Sequence, residues 1–175
     1  MSARDIWFTS DTHFGHRNII PYCRPQYATL EDMEGDIIAR WNAAVKPQDL
    51  VYHLGDFAWK ASDAVRVRPL LNGSIRLVVG NHDDIKAYGE ANLFQRIDMW
   101  RQFRDFGFTA SHVPMRKEQI RHGSANLHGH VHGNVEGLEA FHRDASVEST
   151  GFSPLHFDDV AAWAAVLSAN PRDGG

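Results

Sequence analysis

The chain has 175 residues, 43% of them hydrophobic and 23% charged, which supplies one full core and argues against wholesale disorder. A formal net charge of -4 argues against a broad basic face, and so against stable non-specific binding of nucleic acid. The single cysteine, Cys23, excludes an internal disulfide and a thiolate metal cluster, and fits a reducing, cytoplasmic setting. Met1 to Trp7 carries Arg4 and Asp5 and lacks the apolar run of a signal peptide. No segment approaches the roughly 20 apolar residues of a membrane span. One domain is expected over residues 1–170, with a frayed tail over 171–175. The informative excess is histidine, eleven in all, most of them beside Gly, Asp or Asn.

In chain order, Ile6 to Thr9 reads as a strand that meets a polar loop, Ser10-Asp11-Thr12-His13-Phe14-Gly15-His16. On an extended backbone Asp11 and His13, two apart, project to one side, a common beginning of a metal site, with a turn-forming Asp11 beside a loop histidine as the equal alternative. His16 and Arg17 in the same loop are candidate substrate contacts, with surface placement the competing reading for Arg17. Residues 29–45 form an expected amphipathic helix: Thr29 caps it, acids fill its first turn, and Leu30, Met33, Ile37, Trp41 and Ala44 make one apolar stripe. Leu50 to Leu54 is a second buried strand ending at Gly55-Asp56. His53 within it reads as a satisfied core group, and Phe57 and Trp59 read as core, with a cleft position as the alternative for Trp59. A helix over Ser62 to Leu71 is strained by Pro69 and closed by Asn72-Gly73.

A third strand, Ile75 to Val79, ends in Gly80-Asn81-His82-Asp83, three polar side chains delivered at one strand tip. Polar groups so clustered must be hydrogen-bonded, ligated or solvated, and a turn at Gly80-Asn81 with Asp83 capping a helix is the competing reading. Beyond it, 85–92 is expected to be helical, and 97–100 and 106–110 are expected strands, the second delivering His112. Met115 to Gly123 is a basic loop containing Arg116, Lys117, Arg121 and His122. Asn126-Leu127 then enters His128-Gly129-His130-Val131-His132-Gly133, where three alternate histidines share one side of an extended chain. Residues 142–147 are read as the last strand, and 158–169 as a closing helix stopped by Asn170-Pro171.

Asp11-x-His13, Gly55-Asp56, Gly80-Asn81-His82-Asp83, a lone His112 and Gly129-His130-x-His132 stand in the order of the five motifs of calcineurin-like metallophosphoesterases. The chain resembles the short, cap-less bacterial and phage members of that superfamily, over residues 11 to 132. The resemblance implies an α/β fold, a four-layer αββα sandwich of two mixed β-sheets flanked by helices. It also implies two divalent metal ions per chain, manganese favoured and Fe, Zn, Co or Ni open.

Carried over residue by residue, the resemblance assigns Asp11, His13 and His132 to one metal, Asn81, His112 and His130 to the other, and Asp56 to both. His82 is implied to face the leaving group, with Asp83 orienting its ring, and His128 is not among the ligands. The implied activity is hydrolysis of a phosphoester by a hydroxide bridging the metals, with a phosphodiester favoured. Alternatives are a phosphomonoesterase or a non-catalytic interaction scaffold of the same fold. The implied partner is a small-molecule or nucleotide phosphoester.

Overall fold

The structure, a computed structural model, describes residues 4–120 and 123–169; the expected tail at 171–175, the Asn170-Pro171 stop and the basic residues Arg121 and His122 lie outside them. Strands β1 (Ile6–Thr9), β2 (Leu50–His53), β3 (Ser74–Val78) and β4 (Arg96–Asp98) run parallel, and β9 (Leu155–His156) pairs antiparallel with β1. They form a five-stranded sheet in the order β4-β3-β2-β1-β9. A four-stranded sheet, β5-β6-β7-β8, comprises Trp100–Phe103, Phe108–Ser111, Ala125–His128 and His142–Asp144. Its first pair is antiparallel and the other two are parallel, so both sheets are mixed as expected.

Strand alternation divides the apolar side chains between two layers. Val51, Ile75 and Leu77 face a cluster with Ile19 of α1 (Ile19–Cys23), with Met33, Ile37 and Trp41 of α2 (Leu30–Ala44), and with Ala64 and Val67 of α3 (Ala61–Val67). Tyr88 of α4 (Ile85–Glu90) joins the same layer. Phe8, Tyr52, Leu54 and Val78 turn the other way, toward Phe108, Ala110, Ala125 and Leu127 of the second sheet. Val160 and Ala164 of α5 (Phe157–Ala169) complete that layer. Helix α2 begins as expected, the Thr29 hydroxyl accepting the Asp32 N–H at 3.1 Å.

Several expectations shift. The strand read over 97–100 is two strands in different sheets, separated at Met99, which is 65% exposed. A change of sheet leaves the alternation untouched, so periodicity cannot reveal it. The helix read over 62–71 ends at Val67 and tightens into a 3-10 turn at Arg68–Leu70, because Pro69 has no N–H to continue the ladder. Residues 104–106 form another such turn, so the strand expected from Phe106 begins at Phe108. The strand read over 142–147 stops at Asp144 and is not the last; the two-residue β9 and the five-residue α1 are too short to show a period. Among the described residues, no helix is long and apolar enough to cross a membrane.

Candidate metal centre

The strand tips of both sheets meet at one place. The loop after β1 is zipped to the loop after β2: Leu54 N–H donates to the Thr9 carbonyl, Asp11 N–H to Gly55, His13 N–H to Asp56 and Phe14 N–H to Phe57. Ser10 bridges to Ser146, just beyond β8, and so joins the two sheets beneath the site. The backbone there is unusual. Asp11, His13, Asp56, His130 and His132 all have positive φ, between 50° and 72°. L residues rarely hold this left-handed conformation, and each such position costs of order 1–3 kcal/mol. The reading that placed Asp11 and His13 on one side of an extended chain is therefore corrected: loop geometry aims them. Close approach is also enforced by glycine. A Cβ on Gly80 would land on the Asp56 carboxylate and backbone nitrogen, and one on Gly55, at φ 103°, would meet His112 and Gly80.

Two clusters of ligand atoms result, Asp11 with His13 and His132, and Asp56 with His112 and His130. In the first, Asp11 Oδ1 lies 3.9 Å from His13 Nε2 and 3.6 Å from His132 Nε2. In the second, Asp56 Oδ2 lies 3.6 Å from His112 Nε2, which is itself 3.0 Å from Asn81 Oδ1 and 3.2 Å from His130 Nδ1. The same Asp56 oxygen is 3.4 Å from His13 Nε2, so one carboxylate faces both clusters. Its other oxygen accepts the His82 N–H at 2.9 Å.

These groups fit divalent cations. His112 donates Nδ1–H to the Leu54 carbonyl at 2.8 Å, so in the neutral ring Nε2 carries a lone pair turned toward Asn81 Oδ1 and Asp56 Oδ2. Acceptors converging in this way repel one another unless a cation lies among them. Asp11 Oδ1 and both ring nitrogens of His13 are buried without a hydrogen-bond partner among the described residues. Metal–ligand bonds of about 2.1 Å imply ligand–ligand edges of about 3.0 Å in an octahedron and about 3.4 Å in a tetrahedron; the separations here run from 3.0 to 3.9 Å, the longer ones slightly beyond those edges. Nitrogen and oxygen donors without sulfur suit first-row transition metals.

Charge follows the same logic. Burial pushes the Asp11 carboxyl up to about 6 against the pull of His132 and His112. A bound cation would reverse that shift. Burial, aided by Arg24 and the neighbouring imidazoles, holds His13 far below the usual histidine range, in the neutral form that ligation needs. Burial also lowers His132, but the Glu148 hydrogen bond and the Asp11 charge outweigh it and raise the ring.

The structure thus brings together Asp11, His13, Asp56, Asn81, His112, His130 and His132. His82 is exposed at the mouth, its ring 5.4 Å from that of His13. Asp83 does something other than orient that ring. Its Oδ2 accepts the N–H groups of Asp56 and Gly80, at 2.9 and 2.8 Å, and its Oδ1 that of Phe57 at 2.9 Å. No hydrogen bond joins Asp83 to the His82 imidazole among the described residues. The carboxylate staples the Gly55-Asp56-Phe57 loop to the Gly80 loop, a role that adjacency in sequence concealed.

The trio of His128, His130 and His132 also divides. His128 ends β7, donates Nδ1–H to the Gly129 carbonyl and packs its ring on His142. His130 and His132, on left-handed backbone, enter different clusters. His53 is the buried core group expected, with Thr12 Oγ1 at 3.0 Å from its Nε2. Phe57 is core, but Trp59 is 41% exposed and stacks flat on His16, ring centroids 4.0 Å apart. His16 stands 5.3 Å from the His13 ring. Exposed Arg17 lines, with His16, Trp59 and Lys60, a cavity of about 400 Å³. Sequence reading missed Arg24 and Glu148, neither of which lies in a motif or in a periodic stretch.

Comparison with known proteins agrees with the fold. The chain is 36% identical over 167 residues to the uncharacterized protein MJ1445 of Methanocaldococcus jannaschii, covering 90% of each. It is 31% identical over 86 residues to the gene 66 protein of Mycobacterium phage L5, covering 45% of this chain and 40% of that one. The crystal structure of AQ665 from Aquifex aeolicus, a protein of unknown function, is similar with a TM-score of 0.75 at 28% identity, over 91% of this chain and 99% of that one. The description calcineurin-like phosphoesterase matches residues 4–171, and with two mixed sheets converging on a histidine–aspartate centre, the chain belongs to that family.

Proposed function

We propose that this protein is a dinuclear-metal phosphoesterase that hydrolyses phosphodiesters, with Asp11, His13 and His132 holding one ion, Asn81, His112 and His130 the other, and Asp56 shared. The observation that carries the reading is the single Asp56 oxygen facing both imidazole clusters, 3.4 Å from His13 and 3.6 Å from His112. When bound, a metal pair supplies an activated water and neutralises charge on the phosphoryl group. The protein's own part is to hold His82 at the exposed rim, where its imidazole gives a proton to the departing oxygen. The exposed Asn81 and His82 and half-open Trp59 leave room for both arms of a diester, which supports that preference over a monoester. His16 and Arg17, beside Trp59, serve as substrate contacts. Manganese is the first ion to test, with Fe, Zn, Co and Ni compatible with the same donors. A cytoplasmic setting belongs to the same proposal and rests on the lone, unpaired Cys23.

The test is Mn²⁺-dependent hydrolysis of bis-p-nitrophenyl phosphate beside p-nitrophenyl phosphate. His82→Ala is expected to keep both ions and lose about 100- to 10,000-fold in turnover, the scale of a lost general acid. Full activity in that variant removes His82 from the chemistry. Preference for the monoester reverses the substrate assignment. A wild-type protein that binds two ions and hydrolyses neither compound is a scaffold rather than an enzyme.

A further inference from the structure

Arg24 is the unusual residue outside the motifs. Its side chain is 0% exposed, yet it belongs to neither apolar cluster. A buried guanidinium is strongly unfavourable unless its donors are used. Here Nη1 donates to the Thr12 carbonyl at 2.9 Å, Nη2 donates to the Asp11 carbonyl, and Nε donates to Glu148 Oε1 at 2.8 Å. The fork therefore grips two successive carbonyls of the loop that carries Asp11 and His13, with both of those residues on left-handed backbone.

Glu148 continues the chain. The same Oε1 lies 3.0 Å from His132 Nδ1, which makes the His132 Nδ1–H a donor to it and turns Nε2 toward Asp11 Oδ1 at 3.6 Å. Arg24 and Glu148 are 124 positions apart and meet only in the fold. Besides Met33 Sδ and the Phe152 ring, which Arg24 also touches, the side-chain contacts of the pair among the described residues run to the Asp11–His13–His132 cluster or its loop. Among the described residues, none of these contacts reaches Asp56, His112 or His130.

We infer that Arg24 and Glu148 are positioning residues for one of the two metal positions: Glu148 sets the tautomer and ring orientation of His132, and Arg24 anchors Glu148 to the Asp11 loop. This rests on the metal reading proposed above. The negative charge matters as well as the hydrogen bond. Without it, the Arg24 cation stands uncompensated beside a site that must accept another cation. The second position, backed by the neutral Leu54 carbonyl on His112, is independent of the pair.

The experiment is calorimetric titration of the metal-free protein with Mn²⁺, comparing wild type, Glu148→Gln and Glu148→Ala. Melting by circular dichroism is followed in parallel. A glutamine still accepts the His132 hydrogen bond but brings no charge, and an alanine does neither. One of the two binding steps is expected to weaken about 10-fold in Glu148→Gln and about 100-fold in Glu148→Ala, while the other stays within twofold. Equal weakening of both steps, or of neither, overturns the inference while leaving the metal reading in place. Loss of the fold in Glu148→Gln also overturns it, because the pair would then serve the fold and not the site. A wild-type protein that takes up no metal removes the underlying reading itself.

Discussion

Asp83 gives the sharpest test of how this centre is built. Its carboxylate accepts three backbone N–H groups, from Asp56, Phe57 and Gly80, all within 2.9 Å. Burial raises its pKa against those three bonds, so the carboxylate sits in a poorly solvated place. Hydrogen bonds to a charged acceptor contribute about 1.5–3 kcal/mol each, and orphaned donors forfeit that plus their own solvation. Taking the low end, Asp83→Ala should cost about 4–5 kcal/mol. Asp83→Asn should cost about 2 kcal/mol, because its oxygen can replace the doubly used Oδ2 while its amide confronts the Phe57 N–H. With a urea slope of about 2 kcal/mol/M, the unfolding midpoint falls by about 2 M and about 1 M respectively. Both metal steps should weaken together in either variant, because the loop released is the one carrying Asp56. The opposite pattern would refute the reasoning: a wild-type midpoint and intact metal binding in Asp83→Asn with a 100-fold drop in turnover. That result would return Asp83 to the role of orienting His82.

Gly80→Ala should abolish uptake of both ions in calorimetry, since the added methyl displaces the Asp56 carboxylate; normal binding would show that the loop yields. His53, fully buried, is pulled down to about 3 by burial first and the nearby His112 second. Its folded pKa lies below the unfolded value of about 6.5, so its contribution is complete above pH 6.5 and is lost as pH falls toward 3, up to about 5 kcal/mol. His53→Gln should flatten the fall of stability between pH 6.5 and 4 in urea titrations, and an unchanged slope counts against the argument. Trp59→Ala removes the shelf under His16, and is expected to raise KM for bis-p-nitrophenyl phosphate several-fold with kcat within twofold. An unmoved KM would detach the stack from substrate binding.

What the sequence determined by itself was local and chemical. The β-branched runs, the Thr29 cap and the Met33–Ile37–Trp41 stripe each carry their own period, and they appear in the structure where that period puts them. The residues of the two histidine–aspartate clusters were legible because several distinctive motifs stood in a known order along the chain. The tertiary structure decided what has no period. Two extended residues on either side of Met99 belong to different sheets only because of which edge each one pairs. His130 and His132 separate into different clusters because left-handed backbone, not alternation, aims them. Asp83 turns from its sequence neighbour to three backbone N–H groups, and Arg24 finds Glu148 across 124 positions. Hydrogen bonds and charges of this kind depend on distance in space, and a linear pattern carries that distance only when both partners lie on one regular element.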